Sequence, residues 1–304
     1  MPAGQGMKQM YRTTRTDTLE IAYEQSGPED GAPVILLHGF PDDVRTWDGV
    51  APKLAAAGFR VIVPWLRGYG PTRFLDPATP RSGQQAALGA DLLALMDALG
   101  IGQALLAGYD WGGRAACIVS ALWPERVIGL VSINGYNIQN IPASGAPADA
   151  AQELRHWYQW YFQTERGRNG LTANRDGICR LLWQLWSPNW VFDDATFAAT
   201  ADSFQNPDFV DVVIQSYRHR HRAALGDPAL EAIEVLLETQ PPIPTPTIVL
   251  HGLDDGVGPP SLEDRDAHHF TGKYFRELVP VAGHFLPRET PEKVVEAIMI
   301  LARL

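Results

Sequence analysis

The position with the most chemistry to offer is an aspartate with a glycine two residues to either side, in Gly108-Tyr109-Asp110-Trp111-Gly112. A short apolar run at 104–107 precedes it and a helical pattern at 114–123 follows it, the strand–turn–helix setting of a nucleophile elbow. A turn that tight needs glycine at its flanks, and it projects the tip residue into a pocket beside a helix N-terminus. Backbone N–H groups and the helix dipole favour an anion there. A serine at the tip would need a partner to deprotonate it, whereas a carboxylate is ionised at neutral pH. A carboxylate is a modest nucleophile, suited to displacement at a saturated carbon with a strained or good leaving group. It leaves an ester between enzyme and substrate, which a second step must hydrolyse.

Three further motifs supply that second step. His38-Gly39-Phe40-Pro41 follows the apolar run 33–37, where the backbone N–H of Phe40 can pair with that of Trp111 as an oxyanion hole. His38 itself reads as a structural histidine bonded to nearby backbone, close enough to count among the pocket residues. Val281-Ala282-Gly283-His284-Phe285 follows the late run 274–279 and offers His284 as the base that deprotonates water. Gly252-Leu253-Asp254-Asp255-Gly256 follows the run 247–250. Its spacing from Gly252 and Pro259 favours Asp255 over Asp254 as the carboxylate that orients His284. The loop Asn134-Gly135-Tyr136-Asn137 holds no carboxylate, which also favours Asp255. The chain order is nucleophile, acid, histidine.

The elements that must position these residues alternate along the chain. Apolar, β-branched runs at 33–37, 60–63, 104–107, 127–133, 247–250 and 274–279 predict strands buried on both faces. Helical patterns at 46–57, 82–99, 114–123 and 291–303 lie between or after them, with Gly58 and Gly100 at expected helix ends. Two leading stretches, 8–13 and 18–25, alternate weakly and suggest an antiparallel edge. The expected fold class is therefore α/β, with a mostly parallel sheet flanked by helices, and the elbow with its acid and histidine order resembles the α/β-hydrolase fold. From 137 to 240 the strand rhythm stops and the sequence turns helical and aromatic, with Trp157, Trp160, Trp183, Trp186 and Trp190. Pro241-Pro242-Ile243-Pro244-Thr245-Pro246 then resembles a linker. The expected organisation is a core domain of 1–136 and 241–304 with a helical cap of 137–240, whose tryptophans roof an apolar cavity.

Composition limits the remaining options. The 304 residues carry a net charge of −10 at a pI near 5.2, against nucleic-acid or anionic-membrane partners, which want basic patches. Two cysteines, Cys117 and Cys179, make no disulfide framework and fit a reducing, cytoplasmic setting. The opening residues are polar and lack the apolar run of a signal peptide, and no stretch is long and apolar enough to cross a membrane. No metal or organic cofactor is expected: there is no glycine-rich phosphate loop with a following lysine, and His268-His269 are adjacent rather than at ligand spacing.

With these motifs in place the chain resembles the epoxide hydrolases of the α/β-hydrolase superfamily from about Tyr11 to Leu304. The matching blocks are His38-Gly39-Phe40-Pro41, Arg67-Gly68-Tyr69-Gly70, Gly108-Tyr109-Asp110-Trp111-Gly112-Gly113 and Gly283-His284-Phe285. The resemblance implies two cap tyrosines that hydrogen-bond the epoxide oxygen. The stretch Tyr158-Gln159-Trp160-Tyr161-Phe162-Gln163 is similar to the block carrying the first, at Tyr158, and Ser216-Tyr217-Arg218 to that carrying the second, at Tyr217. A phenol with pKa near ~10 remains a donor at neutral pH and can support a developing alkoxide. Trp111, Trp157 and Tyr161 join His38 as expected pocket residues, with Tyr161 the substitute should the register differ. The expected substrate is a small, mainly apolar epoxide, opened to a vicinal diol. A homodimer is compatible with the sequence.

Two rivals stand beside this reading. A dehalogenase on the same scaffold also uses Asp, His and Asp, and Arg114 follows the nucleophile by four residues as in the fluoroacetate type. That resemblance also implies an arginine directly after the nucleophile and a cap tryptophan, where this chain has Trp111 and Tyr158. In the haloalkane type the position of Phe40 is polar. A catalytically silent binding protein would keep the pocket and lose the triad, yet every triad position here is filled.

Overall fold

The computed structural model describes residues 11–304, so the polar opening and residues 8–10 of the first expected strand lie outside the described residues. Among the described residues nine strands form one sheet: β1 (Arg12–Arg15), β2 (Leu19–Ser26), β3 (Pro33–Leu37), β4 (Arg60–Pro64), β5 (Arg73–Phe74), β6 (Ala104–Tyr109), β7 (Val127–Ile133), β8 (Thr247–Gly252) and β9 (Tyr274–Val279). Their order is β1-β2-β4-β3-β6-β7-β8-β9, with β5 paired to β2. The pairs from β4 through β9 are parallel, and β2 joins β1, β4 and β5 antiparallel. Continuous apolar sequence explains the centre, since β6 and β8 are buried along their whole length.

Helices α1 (Ala51–Ala56), α2 (Gln85–Ala98), α3 (Asp110–Leu122), α11 (Leu286–Glu289) and α12 (Pro291–Leu301) accompany the sheet, and the helices numbered between them lie between β7 and β8. α2 packs on α3, α3 lies along β3, β6 and β7, and α12 lies along β6, β7 and β8. The single helix expected at 46–57 is instead a short turn at Val44–Trp47 followed by α1, with Gly49 between them and Pro52 in the first turn of α1.

Between β7 and β8 run α4 (Ala150–Arg155), α5 (Trp157–Phe162), α6 (Glu165–Ala173), α7 (Arg175–Trp186), α8 (Asp194–Ala201), α9 (Phe209–Arg220) and α10 (Glu231–Glu238). The aromatic residues expected to roof a cavity divide between two tasks. Trp183 is fully buried against Trp190, Phe192, Phe197 and Phe285, and its indole N–H donates to the Pro41 carbonyl at 2.7 Å. It ties the helical segment to the sheet loops. Trp160 is 40% exposed and packs on His221, with ring centroids 4.3 Å apart, rather than on the Phe40 cluster. Trp186 is the tryptophan that reaches the histidine of the expected triad, with ring centroids 5.1 Å apart.

Sheet register delivers the site. Leu37 of β3 pairs with Gly108 of β6, so the loops beginning at His38 and Asp110 leave the sheet side by side. Ile133 pairs with Leu250 and Gly252 with Val279, which brings the loops of Asn134, Asp255 and His284 to the same carboxyl edge. The chain leaves β3 toward β4 on one side and returns as β6 on the other, so the edge above β3 and β6 is a topological switch point, where open α/β sheets bind ligands. Among the described residues no helix is long and apolar enough to cross a membrane.

Candidate active site

Asp110 has φ of +49°, a left-handed conformation that costs a non-glycine residue roughly 1–3 kcal/mol and persists only where the surroundings impose it. The glycines show how it is imposed. A Cβ on Gly112 would lie 2.2 Å from the Leu37 carbonyl oxygen, and one on Gly108 would lie 2.5 Å from the Gly112 backbone. The spacing that marked the elbow in the sequence is thus a steric requirement. Gly112→Ala is expected to destabilise the protein by at least about 3 kcal/mol, because both clashing partners are backbone; urea unfolding would measure it.

The Phe40 N–H donates to Asp110 Oδ1 at 2.9 Å, and Asp110 Oδ2 has no hydrogen-bond partner among the described residues. The second expected donor, the Trp111 N–H, stands in the first turn of α3, where helical N–H groups lack an intrahelical acceptor. A buried network fixes this loop against the elbow. Tyr109 Oη donates to Asp42 Oδ2 at 2.7 Å, and Arg288 Nε donates to the same oxygen at 2.9 Å.

His284 and Asp255 are both buried, and His284 Nδ1 lies 3.1 and 3.2 Å from the two Asp255 oxygens. His284 Nε2 is buried and unpartnered, so one face of the ring is committed and the other is open. Asp255 also accepts from the N–H groups of Val257 at 2.8 Å and Gly258 at 3.2 Å and from Asn134 Nδ2 at 2.7 Å. Burial alone would raise the Asp255 carboxyl, but the charges and hydrogen bonds of His284 and His251 outweigh it and hold the group well below the usual carboxylate range. Burial would lower the His284 imidazole. The charge and hydrogen bond of Asp255, with the Asp110 and Glu289 carboxylates beyond, outweigh that and raise it above its ordinary 6.5. Asp254 instead accepts from Asn189 at the surface.

Several supports escaped the sequence reading. The Trp186 carbonyl, at the end of α7, accepts from both His284 N–H at 3.1 Å and Gly256 N–H at 2.9 Å, so one backbone oxygen joins the acid and histidine loops. Ser187 Oγ accepts from the Phe285 N–H and donates to Glu289, whose other oxygen accepts from the Gly283 N–H. Asn134 sits in the loop that holds no carboxylate, yet its amide donates to Asp255 and steadies it. A polar residue at that loop position was the available signal.

The two tyrosines meet above the Phe40 ring. Centroid distances are 6.4 Å from Phe40 to Tyr158, 5.5 Å from Phe40 to Tyr217 and 5.3 Å between the tyrosines, while Trp111 lies 5.8 Å from Phe40 and 6.2 Å from Tyr217. Both phenols are buried, and Tyr158 Oη accepts from Gln159 Nε2 at 2.9 Å. Burial pushes Tyr158 up to about 12 against the opposing pull of Arg220, and burial with the neighbouring Tyr158 and Asp110 pushes Tyr217 well above its usual range. Both remain protonated donors at neutral pH.

Other expected pocket residues stand apart. Tyr161 presses its hydroxyl against Gly170 of α6, which turns it away from the Phe40 cluster. Trp157 contacts Tyr158 and Tyr161 at 6.3 and 6.1 Å and backs the first phenol from outside the cluster. His38 is fully buried and both its ring nitrogens are committed to backbone: Nε2 accepts from the Leu66 N–H at 3.1 Å, so Nδ1 carries the proton and donates to the Gly39 carbonyl at 3.0 Å. Burial brings its pKa down to about 4, which keeps it a neutral strut.

A parallel sheet ending in a glycine-locked elbow, with a carboxylate–histidine pair on the neighbouring loops, defines a hydrolase architecture, and the chain belongs to the α/β-hydrolase fold family, whose model matches residues 32–290. A solved structure from Klebsiella pneumoniae subsp. pneumoniae, a proposed epoxide hydrolase, superposes with TM-score 0.95 at 46% identity over 97% of both chains. Epoxide hydrolase B of Mycobacterium tuberculosis is 34% identical over 175 residues, 53% of this chain and 49% of that protein, so the match spans about half the relative's length. Epoxide hydrolase A of the same organism is 26% identical across 95% of both chains.

Proposed function

We propose that the protein is an epoxide hydrolase working through a covalent ester on Asp110. The observation that carries this reading is the pair of buried phenols, Tyr158 and Tyr217, packed on each other and on Phe40 beside the carboxylate at the elbow tip. The names of the relatives support it. Residues 137–240 are read as a cap, with the core formed by 1–136 and 241–304.

In this mechanism the phenols donate to the epoxide oxygen, and Asp110 Oδ2 attacks a ring carbon, breaking its C–O bond. One phenol gives its proton to the departing alkoxide. Asp110 Oδ1, already held by the Phe40 N–H, becomes the carbonyl oxygen of the ester. His284 Nε2 then takes a proton from water, which adds to that carbonyl. The oxyanion forms on the oxygen that Phe40 holds, with the Trp111 N–H as second donor. Collapse expels the diol oxygen as an alkoxide, which takes the proton of the His284 imidazolium, and leaves Asp110 as its neutral acid; that acid proton returns to the tyrosinate, so the carboxylate, the imidazole and the phenol are all restored.

The base must be neutral to act. Because its folded pKa is raised, activity is expected to be full on the alkaline side and to fall as pH drops through a midpoint above 6.5. Asp255→Asn removes the raising charge, so it is expected to move that midpoint downward while lowering kcat; a pH–rate profile of both proteins checks this.

Incubation with styrene oxide, with chloroacetate and with buffer alone tests the assignment. Diol from the epoxide and no halide is the expected result. Halide release without diol would place the protein with the dehalogenases.

A further inference from the structure

Arg114 lies on α3 one turn after Asp110 and is only 6% exposed. A guanidinium buried to that degree ordinarily has a carboxylate partner, because an uncompensated buried charge is costly. Among the described residues no carboxylate forms an ion pair with it. Its contacts are neutral. Nε reaches the Asn137 carbonyl at 3.4 Å, and Nη2 reaches the Gln139 side-chain oxygen at 3.1 Å when that amide is turned to face it. The same oxygen lies 3.2 Å from Nη1 of Arg220, the last residue of α9. Two guanidiniums from different elements therefore converge on one neutral acceptor.

Arg220 is half-buried and also lines a cleft of about 200 Å³, together with Gln139, Glu153, His156, Trp160 and His221. The one carboxylate there, Glu153, is already engaged by the Trp160 indole at 2.7 Å and the Ala148 N–H at 2.8 Å. Burial and the charge of Arg220 bring both His156 and His221 down to about 4. The charge of Arg220 reaches Tyr158, and the charge of Arg114 reaches Asp110 and Tyr217. In a chain of net charge −10, these two guanidiniums form a local positive pole with no directly ion-paired carboxylate among the described residues, and Asp110 is the anion whose charge acts on Arg114.

We propose that Arg114 and Arg220 form a carboxylate-binding subsite, so that the substrate is an otherwise apolar epoxide bearing a carboxylate. Paired planar guanidiniums match a carboxylate's two oxygens, and the ligand's oxygens would replace the amide oxygen of Gln139. The subsite rests on the epoxide reading and extends it. Ester formation removes the charge of Asp110, which favours the charged Arg114 guanidinium. A substrate carboxylate would keep that guanidinium compensated through the covalent stage.

The test compares trans-3-phenylglycidate with its primary amide, epoxides of matched shape that differ by one charge. The acid's kcat/KM is expected to exceed the amide's by about 30-fold, chiefly through KM, since charge-assisted pairs contribute roughly tenfold or more each. Arg220→Gln, at a half-exposed position that should not prevent folding, is expected to shrink that ratio to about 3-fold. Arg114→Gln should do the same wherever circular dichroism shows it folded. Equal turnover of acid and amide by the unaltered protein, or a ratio unmoved by Arg220→Gln, overturns the subsite. If neither epoxide is opened, the epoxide reading fails, and calorimetric titration decides the subsite separately. Binding of 3-phenylpropionate but not 3-phenylpropanamide, lost in Arg220→Gln, supports it; no discrimination between the two overturns it.

Discussion

Replacing His284 with glutamine is expected to stop the reaction after its first step. Glutamine keeps a polar side chain near Asp255 but cannot take a proton from water, so ester formation proceeds and hydrolysis does not. Intact-mass spectrometry should show the full mass of the epoxide added to the protein, and peptide mapping should place it on Asp110. Steady-state turnover should fall by about 10²–10⁴-fold, the usual contribution of a positioned general base. The geometry underlies this separation of steps. His284 Nε2 is the unpartnered atom, and Nδ1 is committed to Asp255. The Phe40 N–H holds Asp110 Oδ1 independently of the histidine. A substituted protein that turns over slowly yet never accumulates adduct would contradict the two-step scheme.

The double substitution Tyr158→Phe with Tyr217→Phe is expected to act on the other half of the reaction. Both rings can persist in the Phe40 cluster, because packing there is aromatic on every side and only the hydroxyls are lost. Removing both leaves the alkoxide without a proton donor, and the rate of ester formation should fall by about 10³–10⁴-fold. Each single variant should lose about 10–100-fold, since the remaining phenol still donates. Stopped-flow tryptophan fluorescence can follow the step, because Trp111 and Trp186 lie 6.2 and 5.1 Å from the two tyrosine rings. With His284→Gln in the background, adduct in the double variant should build up about 10³–10⁴-fold more slowly than in His284→Gln alone, which separates loss of attack from loss of hydrolysis.

The parts of the site that the sequence displays are those with a steric or periodic signature. Gly108 and Gly112 mark the elbow because any Cβ there meets backbone. Asp255 and His284 could be placed because each follows a short apolar strand whose end fixes the loop. α3 begins at Asp110 although the helical pattern is evident only from 114, because Gly112 and Gly113 weaken local helical preference where the close packing demands them. Other features depend on three-dimensional register that spacing cannot supply. Tyr158 and Tyr161 are one helical turn apart, and only the packing of α5 against α6 and α9 decides that Tyr158 faces Phe40 while Tyr161 meets Gly170. Asn134 reaches Asp255 through the pairing of β7 with β8. The Trp186 carbonyl leaves no trace in the sequence, because any residue would supply the same oxygen.

A single turnover in water enriched in ¹⁸O, with enzyme in excess over styrene oxide, tests the role of Asp110 most directly. Attack by its carboxylate sends one of its own oxygens into the diol, and the water oxygen stays behind on the residue. The diol should therefore carry no label, and the peptide containing Asp110 should gain about two mass units, as a one-for-one oxygen exchange requires. A labelled diol in the first turnover, with the Asp110 peptide unchanged, would mean that water opens the ring directly and that Asp110 is not the nucleophile.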